Sequence, residues 1–206
     1  MTIPLETRED AYRDVIRSGR IKMLLLLLVC AAPVIASYFT FYVIKPQTRS
    51  NYGELILPVT PLPAAQLRQL NGKPYAFSEL KGKWLLLGID DGACAQPCQD
   101  KLFKMRQLRL MQGKEKDRLE RVWLIDNDAQ LETQLIRAYD GMFMLRAGGS
   151  PLLDAFPAAT SAGASRRDHI YLIDPLGNLV LRYPKDADPQ KMKKDLERLL
   201  RYSRIG

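Results

Sequence analysis

The sequence predicts an α/β domain held to a membrane by a single N-terminal helix. Two observations carry that reading. "MLLLLLVCAAPVIASYFTFYVI", residues 23–44, contains no charged side chain. As a helix rising about 1.5 Å per residue it spans roughly 33 Å, enough to cross a bilayer core. Beyond it, short apolar runs suited to buried strands alternate with segments of helical periodicity, the pattern of a sheet covered by helices.

The span reads as a retained anchor. A cleaved signal peptide has a shorter apolar region, about 7–15 residues, nearer the N-terminus. Pro33 is tolerated in a membrane helix, and Cys30 is an ordinary small residue there with no chemical role. Five bases precede the span (Arg8, Arg13, Arg17, Arg20 and Lys22), whereas only Lys45 and Arg49 closely follow it. That asymmetry puts residues 1–22 in the cytoplasm and residues 45–206 outside. The expected location is a bacterial inner membrane with the C-terminal part in the periplasm; the mitochondrial counterpart is the intermembrane space. Both compartments permit disulfides.

The 206-residue chain carries a formal net charge of +8. With the five bases and four acids before the span set aside, the outer part remains strongly basic. Such a surface could attract anionic lipid or an acidic protein partner, or be no more than a solvated basic face. An outer location argues against nucleic acid.

Residues 45–63 mix Pro, polar residues and one short apolar run, and read as a tether ending in extended structure. The domain proper is expected over residues 64–206. Two strand-like runs flank "NGK", an Asn-Gly turn signal. "WLLLGI" is a continuous apolar run fit for a central strand. In "CQDKLFKMRQLRLMQ", Leu102, Met105 and Leu108 recur at helical spacing, with Lys101, Lys104, Arg106 and Arg109 expected at least partly exposed as a basic rim. "RVWLI" (121–125) is another buried strand and "AQLETQLIRAY" (129–139) a second helix. "HIYLIDPLGNLVLRY" (169–183) is two strands joined by a turn. The closing helix has Asp188 as its cap and Pro189 at its first position. Between Gly141 and Asp168 the pattern fades into a segment rich in Gly, Ala and Ser, read as a mobile loop with a single helical turn. This order describes a sheet with helices on both faces, a thioredoxin-like α/β arrangement.

"DDGACAQPCQDKLFKM" holds two of the three cysteines, Cys94 and Cys98. The C-x-x-x-C spacing is too wide for a C-x-x-C redox signature and too small for a complete zinc site. On a helix, residues four apart share a face, with Cα atoms about 6 Å apart, so a disulfide is within reach. Cys94 falls at or just before the first turn, where free N–H groups and the helix dipole favour a thiolate. A bridge over so small a loop constrains little, so chemistry explains the pair better than stabilisation does. His169, the only histidine, stands directly before "IYLID". If "WLLLGI" and "HIYLID" are neighbouring strands, His169 comes close to the cysteine turn. Two thiolates and an imidazole then form a soft three-ligand set that suits copper better than structural zinc.

These segments resemble the Sco/SenC family, membrane-anchored thioredoxin-fold proteins that assist assembly of the copper centre of cytochrome c oxidase. "GKWLLLGIDDGACAQPC" reproduces that family's spacing from Gly-Lys to the first cysteine. "RRDHIYLIDPLGNLV" resembles its histidine segment, and "LIDNDAQLETQLIRAYDGMFML" its Asp-bearing strand end and following helix. Ala95 and Gln99 stand where the family has prolines, and "DDGA" replaces an aromatic-rich segment, so the chain reads as a divergent member. The resemblance implies copper held by Cys94, Cys98 and His169, and a partner in the copper-bearing subunit of a respiratory oxidase. The alternative is a thiol–disulfide oxidoreductase without stored copper, which keeps a partner's cysteines reduced. There Cys94 is expected to attack and Cys98 to resolve. A merely bridged interaction module is the third reading.

Overall fold

The computed structural model describes residues 5–40, 42, 51–158 and 163–206, with side chains from residue 19 onward. The bases Lys45 and Arg49, and the end of the apolar run at Ile44, lie outside the described residues. The chain divides into two compact units, 1–49 and 50–206. In the first, α1 runs from Leu5 to Phe39 with Pro33 inside it. Its stretch Gly19–Phe39 is long and apolar enough to cross a membrane, and its apolar side chains, Met23 to Val29 among them, are exposed.

The second unit is built on one eight-stranded sheet. The strands are β1 (Glu54–Pro61), β2 (Gln66–Gln69), β3 (Pro74–Ala76), β4 (Trp84–Asp90), β5 (Leu119–Ile125), β6 (Phe143–Arg146), β7 (Ile170–Ile173) and β8 (Asn178–Tyr183). Their spatial order is β1-β8-β7-β4-β5-β6-β2-β3. The β4–β5 and β5–β6 pairs are parallel and the others antiparallel. The helices are α2 (Gln96–Met111), α3 (Thr133–Ala138) and α4 (Pro189–Tyr202).

Alternation along the central strands makes two apolar layers. One contains Leu86, Trp123, Ile170 and Leu172 and receives Leu102, Met105 and Leu108 of α2, Leu135 of α3, and Met192, Leu196 and Leu200 of α4. Leu102, Met105 and Leu108 are fully buried; each such side chain contributes about 1.5–3 kcal/mol on leaving water. The other layer contains Leu87, Ile89, Leu124 and Tyr171, closed by Phe77, Leu80, Leu152, Leu153 and Phe156. Helices were expected on both faces. All three α-helices of this unit instead feed one layer, and 3-10 turns at Phe77–Leu80 and Pro151–Ala155 cover the other.

Three further expectations shift. The expected tether does end in extended structure, but that part, Glu54–Pro61, pairs with β8 as an edge strand and so joins the sheet. The 141–168 stretch is not a single loop. Phe143–Arg146 forms β6, which adds to β5 and β2, and Arg166–Asp168 forms a second 3-10 turn; residues 159–162 lie outside the described residues. A four-residue strand is too short to show its period. The second helix is also shorter than expected, because Thr133 is its first helical residue. At α4, Asp188 accepts from the Gln190 N–H at 2.8 Å and Pro189 occupies the first turn, as expected.

Candidate functional site

The site forms where β4 ends. Its last residue, Asp90, caps the following backbone by accepting from the Asp91 N–H, and Asp91 accepts from the Cys94 N–H at 3.0 Å. Asn127, beyond the end of β5, receives the Gly92 N–H at 2.9 Å. A Cβ at Gly92 would stand 2.6 Å from the Ala129 carbonyl oxygen, so only glycine lets the two loops meet this closely. The chain then reverses at Cys94, whose φ of 41° lies in a region that non-glycine residues rarely adopt. Ala95 is the N-cap of α2 and Pro97 sits within its first turn, where no N–H is needed.

Cys94 therefore falls just before the helix, as expected, and Cys98 belongs to it, so the pair does not share one helical face. The reversal still brings them together: they form a disulfide with Cα atoms 5.0 Å apart. Both are buried, at 1% and 2% exposure.

Lys101 is the largest departure from the expected surface. It is 8% exposed, and its ammonium donates to the Ile89 carbonyl, to Asp90 at 2.7 Å and to the Arg167 carbonyl. Burial lowers its pKa, while Asp90 pulls the other way. The other three members of the expected rim are at least partly exposed, as expected, while their side chains donate to backbone: Lys104 to the Ala187 carbonyl, Arg106 to Ala138 and Arg109 to Leu119.

Arg167 ties the turn before β7 to the cysteine turn. Its guanidinium takes Asp126 in a two-pronged pair at 2.7 and 2.9 Å and reaches Asp91 at 2.8 Å. These carboxylates, the Asp126 bond first, raise its pKa. Asp168 accepts from the Ser165 N–H and pairs with Lys185, contacts that hold its carboxyl below the usual range despite some burial. A cleft of about 390 Å³ opens beside this network, with Pro97, Cys98, Lys101, Lys104 and Arg167 among its walls.

His169 does not join the cysteines. β4 and β7 are neighbours, as expected, with Gly88 opposite Ile170. His169, however, is extended and shares the facing of Tyr171, whose ring lies 6.0 Å away. That is the layer of Leu87 and Phe156, while Cys94 and Cys98 belong to the opposite layer. The imidazole is 4% exposed, with Nδ1 3.0 Å from the Tyr183 carbonyl oxygen, and burial lowers its pKa. Among the described residues, no three His, Cys, Asp or Glu side chains are grouped to hold a metal ion. Asp90, Asp91, Asp126, Lys101 and Arg167 were not singled out as site residues from sequence.

The family model for the transmembrane-like, thioredoxin-like C-terminal domain matches residues 84–203, and the chain belongs to that family. No curated protein matches it in sequence. Among solved structures it is similar to Arabidopsis thaliana ScoI with copper bound, at 17% identity and a TM-score of 0.56, covering 70% of this chain and 100% of that one. Yeast Sco1 with copper bound is 16% identical, with a TM-score of 0.54 and coverage of 70% and 90%. BsSco, a member of the Sco family of cytochrome c oxidase assembly proteins in which a disulfide switch was identified, is 13% identical, with a TM-score of 0.51 and coverage of 71% and 96%. The thioredoxin-like, Sco-type fold expected from the motifs is the fold of this chain.

Proposed function

We propose that this protein is a membrane-anchored copper-binding assembly factor for the copper-bearing subunit of a respiratory oxidase. Cys94 and Cys98 are its working groups and copper is its cargo. The observation that carries this reading is the close cysteine pair at the start of α2, beside a cleft, in a fold shared with copper-bound Sco structures. In the oxidised protein the pair is bridged and offers no thiolate. Two-electron reduction frees two sulfurs that can hold copper(I) without a third ligand, since soft thiolates suit that ion at low coordination. Copper(II) calls for the imidazole as well. For His169 to serve as that ligand, the Ser165–His169 turn must rearrange so that the ring leaves the Tyr171 layer. The proposed setting is a bacterial inner membrane, with residues 1–22 cytoplasmic and the C-terminal domain periplasmic.

A second reading is favoured by the position of His169: a thiol–disulfide oxidoreductase that reduces a partner's copper-ligand cysteines and stores no metal. Exchange needs only the sulfurs. The two readings separate on His169→Ala. As a copper site, the variant loses copper(II) binding and supports oxidase assembly less well, while the disulfide still forms and is reduced. If the variant binds both copper ions like the parent and supports assembly fully, the three-ligand site is wrong and His169 has no part in either reading.

A further inference from the structure

The two cysteines of the pair differ in position relative to the cleft, and the difference runs opposite to the order of attack expected from the helix dipole. Both are nearly buried, but Cys98 lines the cleft bounded by Pro97, Lys101 and Arg167 and Cys94 does not. The chain around Cys94 is closed over from the other side. Gly92 is pressed against Ala129 and held by Asn127. The Gln99 side-chain amide donates to the Cys94 carbonyl at 3.0 Å, and the Tyr139 hydroxyl in turn donates to the Gln99 carbonyl at 3.1 Å. The Asp91 carboxylate and carbonyl hold the Cys94 N–H.

We infer that Cys98 is the sulfur through which thiol–disulfide exchange with an outside molecule proceeds, and that Cys94 is the inner, resolving sulfur. This rests on the pair being chemically active, as proposed above, but not on whether copper is its cargo. Reduction by a dithiol donor then runs as follows. A donor thiolate attacks Cys98 Sγ from the cleft, forming a donor–Cys98 bond while the Cys94–Cys98 bond breaks and Cys94 leaves as thiolate. The second donor thiolate attacks the donor sulfur of the mixed disulfide, closing the donor's own disulfide and releasing Cys98. Two electrons pass to the protein, and each released thiolate takes a proton from solvent according to its pKa. In the reverse direction the Cys98 thiolate opens a partner's disulfide and Cys94 resolves the mixed species. A donor that enters the cleft meets Cys98, which lines it, before Cys94, which does not.

Single-cysteine variants test this in full-length protein in detergent, with Cys30→Ser as background. The probe is an aromatic disulfide that releases a coloured thiolate. The Cys98 thiol, left alone in Cys94→Ser, is expected to react at least about tenfold faster than the Cys94 thiol in Cys98→Ser, and the difference should vanish in denaturant. Equal or inverted rates in the folded proteins, or a difference that survives unfolding, would overturn the assignment. Because either substitution could disturb the turn, the reduced Cys30→Ser protein with both site cysteines intact should also be treated with one equivalent of iodoacetamide and mapped by mass spectrometry. Alkylation chiefly at Cys98 supports the assignment, and alkylation chiefly at Cys94, or equally at both, overturns it. These measurements read sulfur access alone, so their failure would leave the copper proposal to be judged by its own test.

Discussion

His169 and Cys98 occupy opposite faces of one sheet, although the strands that lead to them, β7 and β4, are hydrogen-bonded neighbours. Side chains alternate across a strand, so the histidine and the following Ile170 point in opposite directions. Ile170 meets the cysteine layer and His169 faces Tyr171. A change of facing at residue 169, together with reduction of the Cys94–Cys98 disulfide, separates the observed arrangement from a three-ligand one.

The turn that fixes this facing is pinned by Arg167. Its two-pronged bond to Asp126 and its contact with Asp91 join β5, the cysteine turn and the approach to β7. Arg167 is partly exposed, so Arg167→Met is expected to cost only about 1 kcal/mol of stability. Its larger effect should be local, as faster amide exchange at residues 166–169. Unchanged exchange there would mean that the turn is held by its neighbours and not by the guanidinium.

His169 should also make stability depend on pH. Burial depresses its folded-state pKa below the ordinary value of about 6.5. As pH falls through that value the unfolded chain takes up the proton first, so stability declines with acidification until the folded-state pKa is passed. Urea unfolding at pH 7.5 and 5.5 should show this loss, and His169→Gln should reduce it. Asp168, whose pKa is lowered, acts in a separate window below about pH 4, where protonation removes its contribution.

Lys101 is expected to be structural as well as local to the site. Lys101→Ala leaves the Asp90 carboxylate and the Ile89 and Arg167 carbonyls without their shared donor. Breaking a buried pair from one side costs about 3–5 kcal/mol. A denaturation midpoint within error of the parent would show that water replaces the ammonium at no cost.

The central strands, the apolar face of α2 and the cap of α4 were legible because each follows from a local rule: apolar runs, helical spacing, and Asp before Pro. β6 and the pairing of β1 were not, since four residues carry no period and edge strands are defined by partners distant in sequence. Lys101 was misplaced for a different reason. Cys98, Lys101, Met105 and Leu108 fall at helical spacing on one face, so position marked the lysine as buried while its charge marked it as exposed. Its partner, the carboxylate at the end of β4, decided the matter. That Cys94 and Cys98 lie within reach of a disulfide followed from their spacing. The facing of His169 depended on register, and a one-residue difference reverses it.

Copper(I) stoichiometry of the reduced, full-length protein in detergent tests the central proposal most directly. One copper(I) per chain is expected, lost in both Cys94→Ser and Cys98→Ser and retained in His169→Ala, because the two thiolates hold that ion without the imidazole. Absence of copper(I) binding by the reduced parent, or binding that survives the loss of either cysteine, would contradict it.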